Sequence, residues 1–212
     1  MRHIMIVNAK GGSGKTTLAT NLASYFATQN KKVCVVDFDP QCSSLDWLQA
    51  RSAARMPIHG IAGFKKNPEK IKRNMDIAIM DVPAGIHGAE LTRLIRKAES
   101  IIIPVLPSPI DMRAAEKFID EIKKSAPVAQ KKAKIALVAN RAREITNISA
   151  ELEEFLSKKK IPYLTMLRDS QNYVRAADRG CGIFEMGPAA TAVDREQWAP
   201  ILKWIKSKRS QA

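Results

Sequence analysis

Residues 10–17 read Lys10-Gly11-Gly12-Ser13-Gly14-Lys15-Thr16-Thr17, directly after an apolar run at 4–7. A strand, a glycine-rich turn ending in Gly-Lys-Thr and then a helix is the arrangement that cradles a triphosphate. Each residue type has a physical task there. Gly11, Gly12 and Gly14 let the backbone adopt conformations closed to other residues and bring its N–H groups, with that of Ser13, against phosphate oxygens. Lys15 reaches the β- and γ-phosphates, the Thr16 hydroxyl ligates Mg²⁺, and Thr17 continues the cradle into the helix. That helix, in which Thr16, Leu18, Ala19, Leu22, Ala23 and Phe26 recur at helical spacing, points its positive end at the anion. The strict form of the motif has glycine at position 9. Here Ala9 stands there, and a second lysine, Lys10, opens the loop.

Two acidic motifs follow at strand ends. Val33-Cys34-Val35-Val36 leads into Asp37-Phe38-Asp39-Pro40-Gln41, and Ile77-Ala78-Ile79-Met80 leads into Asp81-Val82-Pro83-Ala84-Gly85. The two-residue period puts Asp37 and Asp39 on one side of an extended segment, at the carboxyl end of a strand where open parallel sheets bind ligands. An apolar strand ending in Asp holds Mg²⁺, often through water. Thr16, Asp37 and Asp81 are therefore the candidate metal ligands, and Asp39 is the candidate for positioning an attacking water. The competing reading is structural: a strand-end Asp also serves as the cap or turn residue of the loop that follows.

Taken together, Lys-Gly-Gly-Ser-Gly-Lys-Thr-Thr and Asp-Phe-Asp-Pro-Gln resemble the deviant Walker A ATPases of the ParA/MinD superfamily, small ParA-like proteins above all, over nearly the whole chain. The resemblance implies ATP and Mg²⁺ as cofactors, slow basal hydrolysis and a homodimer when ATP is bound. In it Lys10 reaches across to the partner's phosphates, and Lys10, Lys15 and Asp39 are the catalytic set. Val138-Ala139-Asn140-Arg141 resembles the family's Asn-Arg strand end, whose Asn contacts adenine. Arg168-Asp169-Ser170, Gly182-Ile183-Phe184-Glu185 and Pro188 resemble its C-terminal segment, which puts Asn140, Arg141 and Pro188 at the nucleotide. The family pattern after Asp81 is commonly Thr-Pro-Pro, where this chain has Val-Pro-Ala-Gly.

The chain has 212 residues, 45% hydrophobic and 26% charged, which suits one α/β domain, 1–212, with a sizeable core. Apolar runs alternate with helical patterns, predicting a single doubly wound, mainly parallel sheet with helices on both faces. Strands are expected near 3–8, 32–37, 76–81, 100–106, 134–140 and 161–165. Helices are expected near 15–29, 43–55, 88–98, 111–126, 147–159, 170–179 and 189–208. Residues 56–75, punctuated by Pro57, Gly60, Gly63 and Pro68, read as a loop or short strand with a brief helix. Asp111 is expected to cap a helix starting at Met112. Cys34, Cys42 and Cys181 show no metal spacing, and the first strand begins at the N-terminus without a signal peptide, so a cytoplasmic location is expected.

Thirty-five Lys and Arg against 21 Asp and Glu give a net charge of +14. That footprint suits a polyanion such as duplex DNA. With the resemblance it implies non-specific DNA binding in the ATP state, association with the nucleoid, and release after hydrolysis stimulated by a ParB-like or cargo-adaptor partner. Cations cluster at Lys65, Lys66, Lys70, Lys72 and Arg73, at 158–160, and at Lys203, Lys206, Lys208 and Arg209. The last is the favoured DNA contact. The alternative is a MinD-like, membrane-cycling ATPase: Trp198, Ile201, Leu202 and Ile205 make an apolar helical stripe with lysines opposite. Packing of that stripe on the domain is the favoured reading, so a membrane is not the expected partner. A biosynthetic P-loop enzyme is the third possibility, with an acidic small substrate that would not need this charge.

Overall fold

The computed structural model describes residues 1–66, 68–143 and 146–211. Strands β1 (Arg2–Ile6), β2 (Val33–Asp37), β3 (Ile58–Ala62), β4 (Ile77–Asp81), β5 (Ser100–Val105), β6 (Lys134–Ala142) and β7 (Tyr163–Arg168) form one sheet in the order β3-β2-β4-β1-β5-β6-β7. All its strand pairs are parallel. The helices are α1 (Lys15–Thr28), α2 (Ser43–Gln49), α3 (Gly88–Ile95), α4 (Pro109–Lys124), α5 (Ala126–Ala129), α6 (Asn147–Ser157), α7 (Gln171–Asp178) and α8 (Ala192–Lys206). This is the doubly wound α/β architecture the alternation of apolar runs predicts.

The central strands carry near-continuous apolar runs, such as 4–7, 77–80 and 101–105, because both of their faces are covered. Alternate side chains go to opposite cores. Ile4, Ile6, Ile79, Ile102 and Val138 pack with α1 and α8, whereas Met5, Val7, Ile101, Ile103 and Leu137 pack with α3, α4 and α6. The stripe Trp198, Ile201, Ile205 on α8 has no exposed surface. Its tail is tied to β1, where the Arg2 guanidinium donates to the Ile205 carbonyl and the Ser210 hydroxyl. The packed reading of that stripe is therefore the one the fold adopts.

Sequence and structure part in three places. Helix α4 starts at Pro109 rather than Met112, because proline at the first helical position needs no N–H partner; Asp111 lies in the first turn without capping it. Within 56–75 the short strand forms as the sheet's edge, β3, pairing parallel to β2 in register Val35↔Gly60, and the brief helix expected there is absent among the described residues. Gly60 lets α2 lie close over it there, since a Cβ would come within 2.7 Å of the Leu48 side chain. Helix α2 is half the expected length and is followed by an irregular turn whose Arg51 is clamped by Glu185 at 2.6 Å, both nearly buried.

In this strand order β1 lies between β4 and β5, so the chain leaving β1 crosses over β4 to reach β2, while β5 follows on the other side. A crevice opens at such a switch point beyond the carboxyl ends of the strands. The loops after β1, β2, β4 and β6 meet there.

Candidate nucleotide site

The loop between β1 and α1 is held from several sides. Asn8, buried at the end of β1, donates from Nδ2 to the Pro104 carbonyl on β5 at 2.7 Å, and its Oδ1 accepts the Lys10 amide at 3.4 Å. Asn140 on β6 donates to the Ser13 carbonyl at 2.9 Å. The Ala9 carbonyl accepts the Gly85 amide from the loop after β4 at 2.9 Å. The Lys10 carbonyl accepts from both the Ser13 hydroxyl, at 3.2 Å, and the Lys15 ammonium, at 3.1 Å, curling the loop on itself. Gly12 and Gly14 stand at φ 74° and 87°, the left-handed region where side chains strain the backbone. A Cβ on Gly14 would also come within 2.1 Å of the Asn140 amide. Gly14→Ala is thus expected to cost about 2 kcal/mol of stability, through left-handed strain and loss of the Ser13–Asn140 bond. Nucleotide affinity should fall at least about tenfold. Thermal melting and titration with a fluorescent ATP analogue check it.

The cleft over this loop measures about 890 Å³. Gly11, Gly12, Gly14, Lys15, Thr16 and Thr17 form its floor, Asp39, Gln41 and Ser43 one wall, Asp81 to Ala84 another, and Asn140 and Arg141 a third. Asp81 is 2% exposed and hydrogen-bonded by Thr16, yet burial outweighs that bond and pushes its carboxyl up to about 7, with Asp37 and Asp39 adding to the rise. Lys15 is pushed the other way: burial lowers its pKa, partly offset by Asp81 and Asp39. A half-desolvated ammonium, a buried carboxyl and a hydroxyl thus converge with a ring of backbone amides. Thr16 and Asp81 are hard oxygen donors, the pair that Mg²⁺ uses when phosphates and water complete its shell. Among the described residues no three His, Cys, Asp or Glu side chains form a self-sufficient metal cage. The donor set fits Mg²⁺ bound together with a phosphate.

Three expected site residues sit differently. Asp37 caps α2: its Oδ1 accepts the Asp39 amide at 2.9 Å, and its Oδ2 accepts the Ser44 and Leu45 amides at 3.1 and 3.3 Å. Those bonds tie both carboxylate oxygens into the turn that opens α2, and Asp37 is not among the cleft-lining residues. Pro188 lies in an exposed turn and is not among the cleft-lining residues. Arg195 holds the preceding segment against α8 by donating to the carbonyls of Ile183, Phe184 and Met186. The wall expected there is formed instead by Asp169, Ser170 and the α7 residues Tyr173, Val174, Ala177 and Asp178. The Lys10 side chain, half-buried, does not line the cleft of its own subunit.

Asn8 and the α7 wall escaped the sequence reading. A polar residue ending an apolar strand just before the loop is the available signal for Asn8. For α7, only the fold shows which face of the helix meets the cleft.

Comparison with known proteins agrees with this geometry. Residues 4–183 match the family described as the CobQ/CobB/MinD/ParA nucleotide binding domain. The chain is 30% identical over 190 residues to the maintenance of carboxysome distribution protein A of Halothiobacillus neapolitanus, spanning 87% of each protein. Its fold is similar to an ATP complex of McdA from Cyanothece, with a TM-score of 0.73, 16% identity, and 97% and 95% of the two chains covered. It is likewise similar to the cell division protein MinD of Aquifex aeolicus, with a TM-score of 0.70, 19% identity and 98% of both chains covered. With a matched region that includes the phosphate loop, both acidic strand ends and Asn140, this chain belongs to the CobQ/CobB/MinD/ParA nucleotide-binding family.

Proposed function

We propose that this protein is an ATP-hydrolysing positioning protein. It closes as a homodimer around Mg-ATP, grips duplex DNA without sequence preference in that state, and lets go after a partner stimulates hydrolysis. ParA and MinD relatives in this family are ATPases, and the full-length relative is named for distributing carboxysomes. The observation that carries the reading is the cradle itself. Backbone amides and Lys15 face where phosphates would lie, Thr16 and Asp81 face where a divalent cation would lie, and Asp39 borders the same cleft.

In this reading the chain's own residues have separate tasks. The loop amides and Lys15 hold the β- and γ-phosphates and neutralise charge as it develops on them. Mg²⁺, when bound, supplies further charge neutralisation between those phosphates. Asp39 orients the attacking water: its Oδ1 is spent on the Gln41 amide at 2.9 Å, which fixes the carboxylate and leaves Oδ2 for water. Asp37 acts by anchoring α2 and the Asp39 amide.

DNA is favoured over membrane as the anionic surface. The stripe a membrane-bound helix would need is in the core, while Lys203, Lys206, Lys208 and Arg209 around the same helix end are exposed. Among the described residues no helix is long and apolar enough to cross a membrane. Phosphate contacts from such cations bind DNA irrespective of sequence. Asp39→Ala is expected to cut phosphate release about 10²-fold while leaving ATP-dependent DNA retention intact. Co-sedimentation with DNA or with anionic vesicles, each with and without ATP, separates the two targets. Retention on vesicles alone overturns the DNA reading, and normal hydrolysis by the variant overturns the role of Asp39.

A further inference from the structure

On the side of the sheet away from α1, strands β2, β3 and β4 carry a small apolar patch separate from the two main cores. Cys34, Val36, Ile61 and Ala78 form a small separate cluster there, covered by Ile71 and Met75 of the irregular stretch 68–75. Beneath that segment is a second cavity of about 440 Å³, floored by Val36, Phe38, Ile61 and Met80 and bordered by Ile71 and Lys97. Well-packed interiors leave few voids larger than a water molecule, and cavities of about 300–1,000 Å³ are the sizes that take ligands.

The rim of this cavity is positive. Lys70 and Lys97 line it beside Glu69, the Lys97 ammonium 5.7 Å from the Phe38 ring centre, and Lys65, Lys66, Lys72 and Arg73 are exposed along the adjoining chain. None of these six makes an ion pair among the described residues. The nearby acids are already engaged: Glu69 with His59 at 3.0 Å, Glu99 with His3 at 3.9 Å, and Asp76 with the Lys32 amide at 2.8 Å. An apolar seat is thus bordered by Lys70 and Lys97, with four more unpaired cations exposed along the adjoining chain.

We infer that this groove docks an acidic segment of a partner protein, with one apolar side chain of that segment seated over Phe38 and Ile61. Charge complementarity selects the acidic partner. The length of the cationic row selects a peptide over a small amphiphile, whose single headgroup would meet one or two of the lysines. The site also has a route to the nucleotide cleft. Phe38 lies between Asp37 and Asp39, its amide donates to the Asp81 carbonyl at 2.9 Å, and the Gly63 amide donates to the Asp37 carbonyl at 2.7 Å. The chain is packed tightly at that point, since a Cβ on Gly63 would come within 2.8 Å of Val36 and 2.9 Å of Phe38. An occupant that shifts Phe38 therefore shifts the backbone that carries Asp39. Only this coupling rests on the ATPase reading; the docking does not.

The test uses the full chain and a fluorescein-labelled synthetic peptide of Asp and Glu residues flanking a Leu-Phe pair, followed by anisotropy with and without ATP. Saturable binding is expected. It should weaken about tenfold in the exposed-residue variant Lys70→Glu/Lys97→Glu, and about tenfold when Ser replaces Leu-Phe in the peptide. Bound peptide should change the rate of phosphate release at least about twofold. Equal affinity for the Ser peptide, or unchanged affinity of the double variant, overturns the site. So does complete displacement by duplex DNA or anionic vesicles at equal charge concentration. Self-association of the chain that the double variant abolishes assigns the groove to a second copy and overturns the partner peptide. Peptide binding that persists without detectable nucleotide binding overturns the ATPase reading alone, and saturating peptide with unaltered phosphate release overturns the coupling alone.

Discussion

Replacing Asp81 with Asn is expected to stabilise the nucleotide-free protein above neutral pH and, in the same molecule, to remove ATP turnover. The carboxyl is nearly inaccessible, lies beside the strand of Asp37 and near Asp39, and is pushed up to about 7. In the unfolded chain it titrates near 4. Between those values the native state holds a proton the unfolded chain has released. Stability from this group is therefore complete below about pH 4 and is lost as pH rises toward about 7; above that the full cost of a buried charge is present. A difference of this size corresponds to about 2–4 kcal/mol. Asn keeps the shape and can still accept the Thr16 hydroxyl, but carries no charge. In magnesium-free buffer its melting temperature should exceed that of the wild type by roughly 5–10 °C at pH 8 and match it near pH 4. Hydrolysis should fall about 10²–10³-fold if, as proposed, the carboxylate is a charged donor to a bound Mg²⁺. A variant whose advantage over the wild type is no greater at pH 8 than at pH 4 would show that the buried carboxyl is not strained in the folded protein. The opposition of stability and turnover is what a site kept for chemistry rather than for folding produces.

The parts of this molecule legible in the sequence are those set by local pattern. The order of strands and helices follows from apolar runs alternating with helical spacing, and β1, β2, β4, β5 and β6 lie within a few residues of their expected places. The phosphate loop is readable because backbone conformation dictates its residues: Gly12 and Gly14 must reach positive φ, and Gly14 must admit the Asn140 amide. What was not legible depends on contacts between distant segments. For β3 the sequence left loop and short strand open, and the pairing with β2 along a mostly half-buried segment decides between them. Asp37 and Asp39 are alike by sequence, two residues apart at one strand end. Only the start of α2, folding back so that Ser44 and Leu45 present their amides, separates a capping carboxylate from one that lines the cleft. The place of Pro188, exposed and outside the cleft lining, depends likewise on a distant contact, since Arg195 of the next helix fixes where the preceding segment lies.

Lys10→Ala and Lys15→Ala are expected to fail in different ways, and the difference tests the dimeric mechanism. Both lysines belong to the same loop, but only Lys15 lines the cleft of its own subunit. What Lys10 contributes to that cleft is its carbonyl, which accepts the Ser13 hydroxyl and the Lys15 ammonium, and a backbone carbonyl survives substitution by Ala. Nucleotide affinity of the isolated subunit should therefore change less than about twofold in Lys10→Ala. It should fall at least about 10²-fold in Lys15→Ala, which removes a desolvated cation from the phosphates. If the Lys10 ammonium serves the partner's phosphates, its loss leaves two facing triphosphates without a bridging charge. ATP-dependent dimers should then disappear, and hydrolysis should drop about 10²–10³-fold, the scale of other charges supplied in trans to a phosphoryl group. Light scattering with ATP, titration with a fluorescent analogue and phosphate release measure the three quantities separately. Dimers of Lys10→Ala indistinguishable from wild type would remove the cross-subunit role. A loss of nucleotide affinity equal to that of Lys15→Ala would place the Lys10 side chain in its own cleft instead. The two-lysine loop is explained only if the second lysine adds nothing to binding and everything to closure.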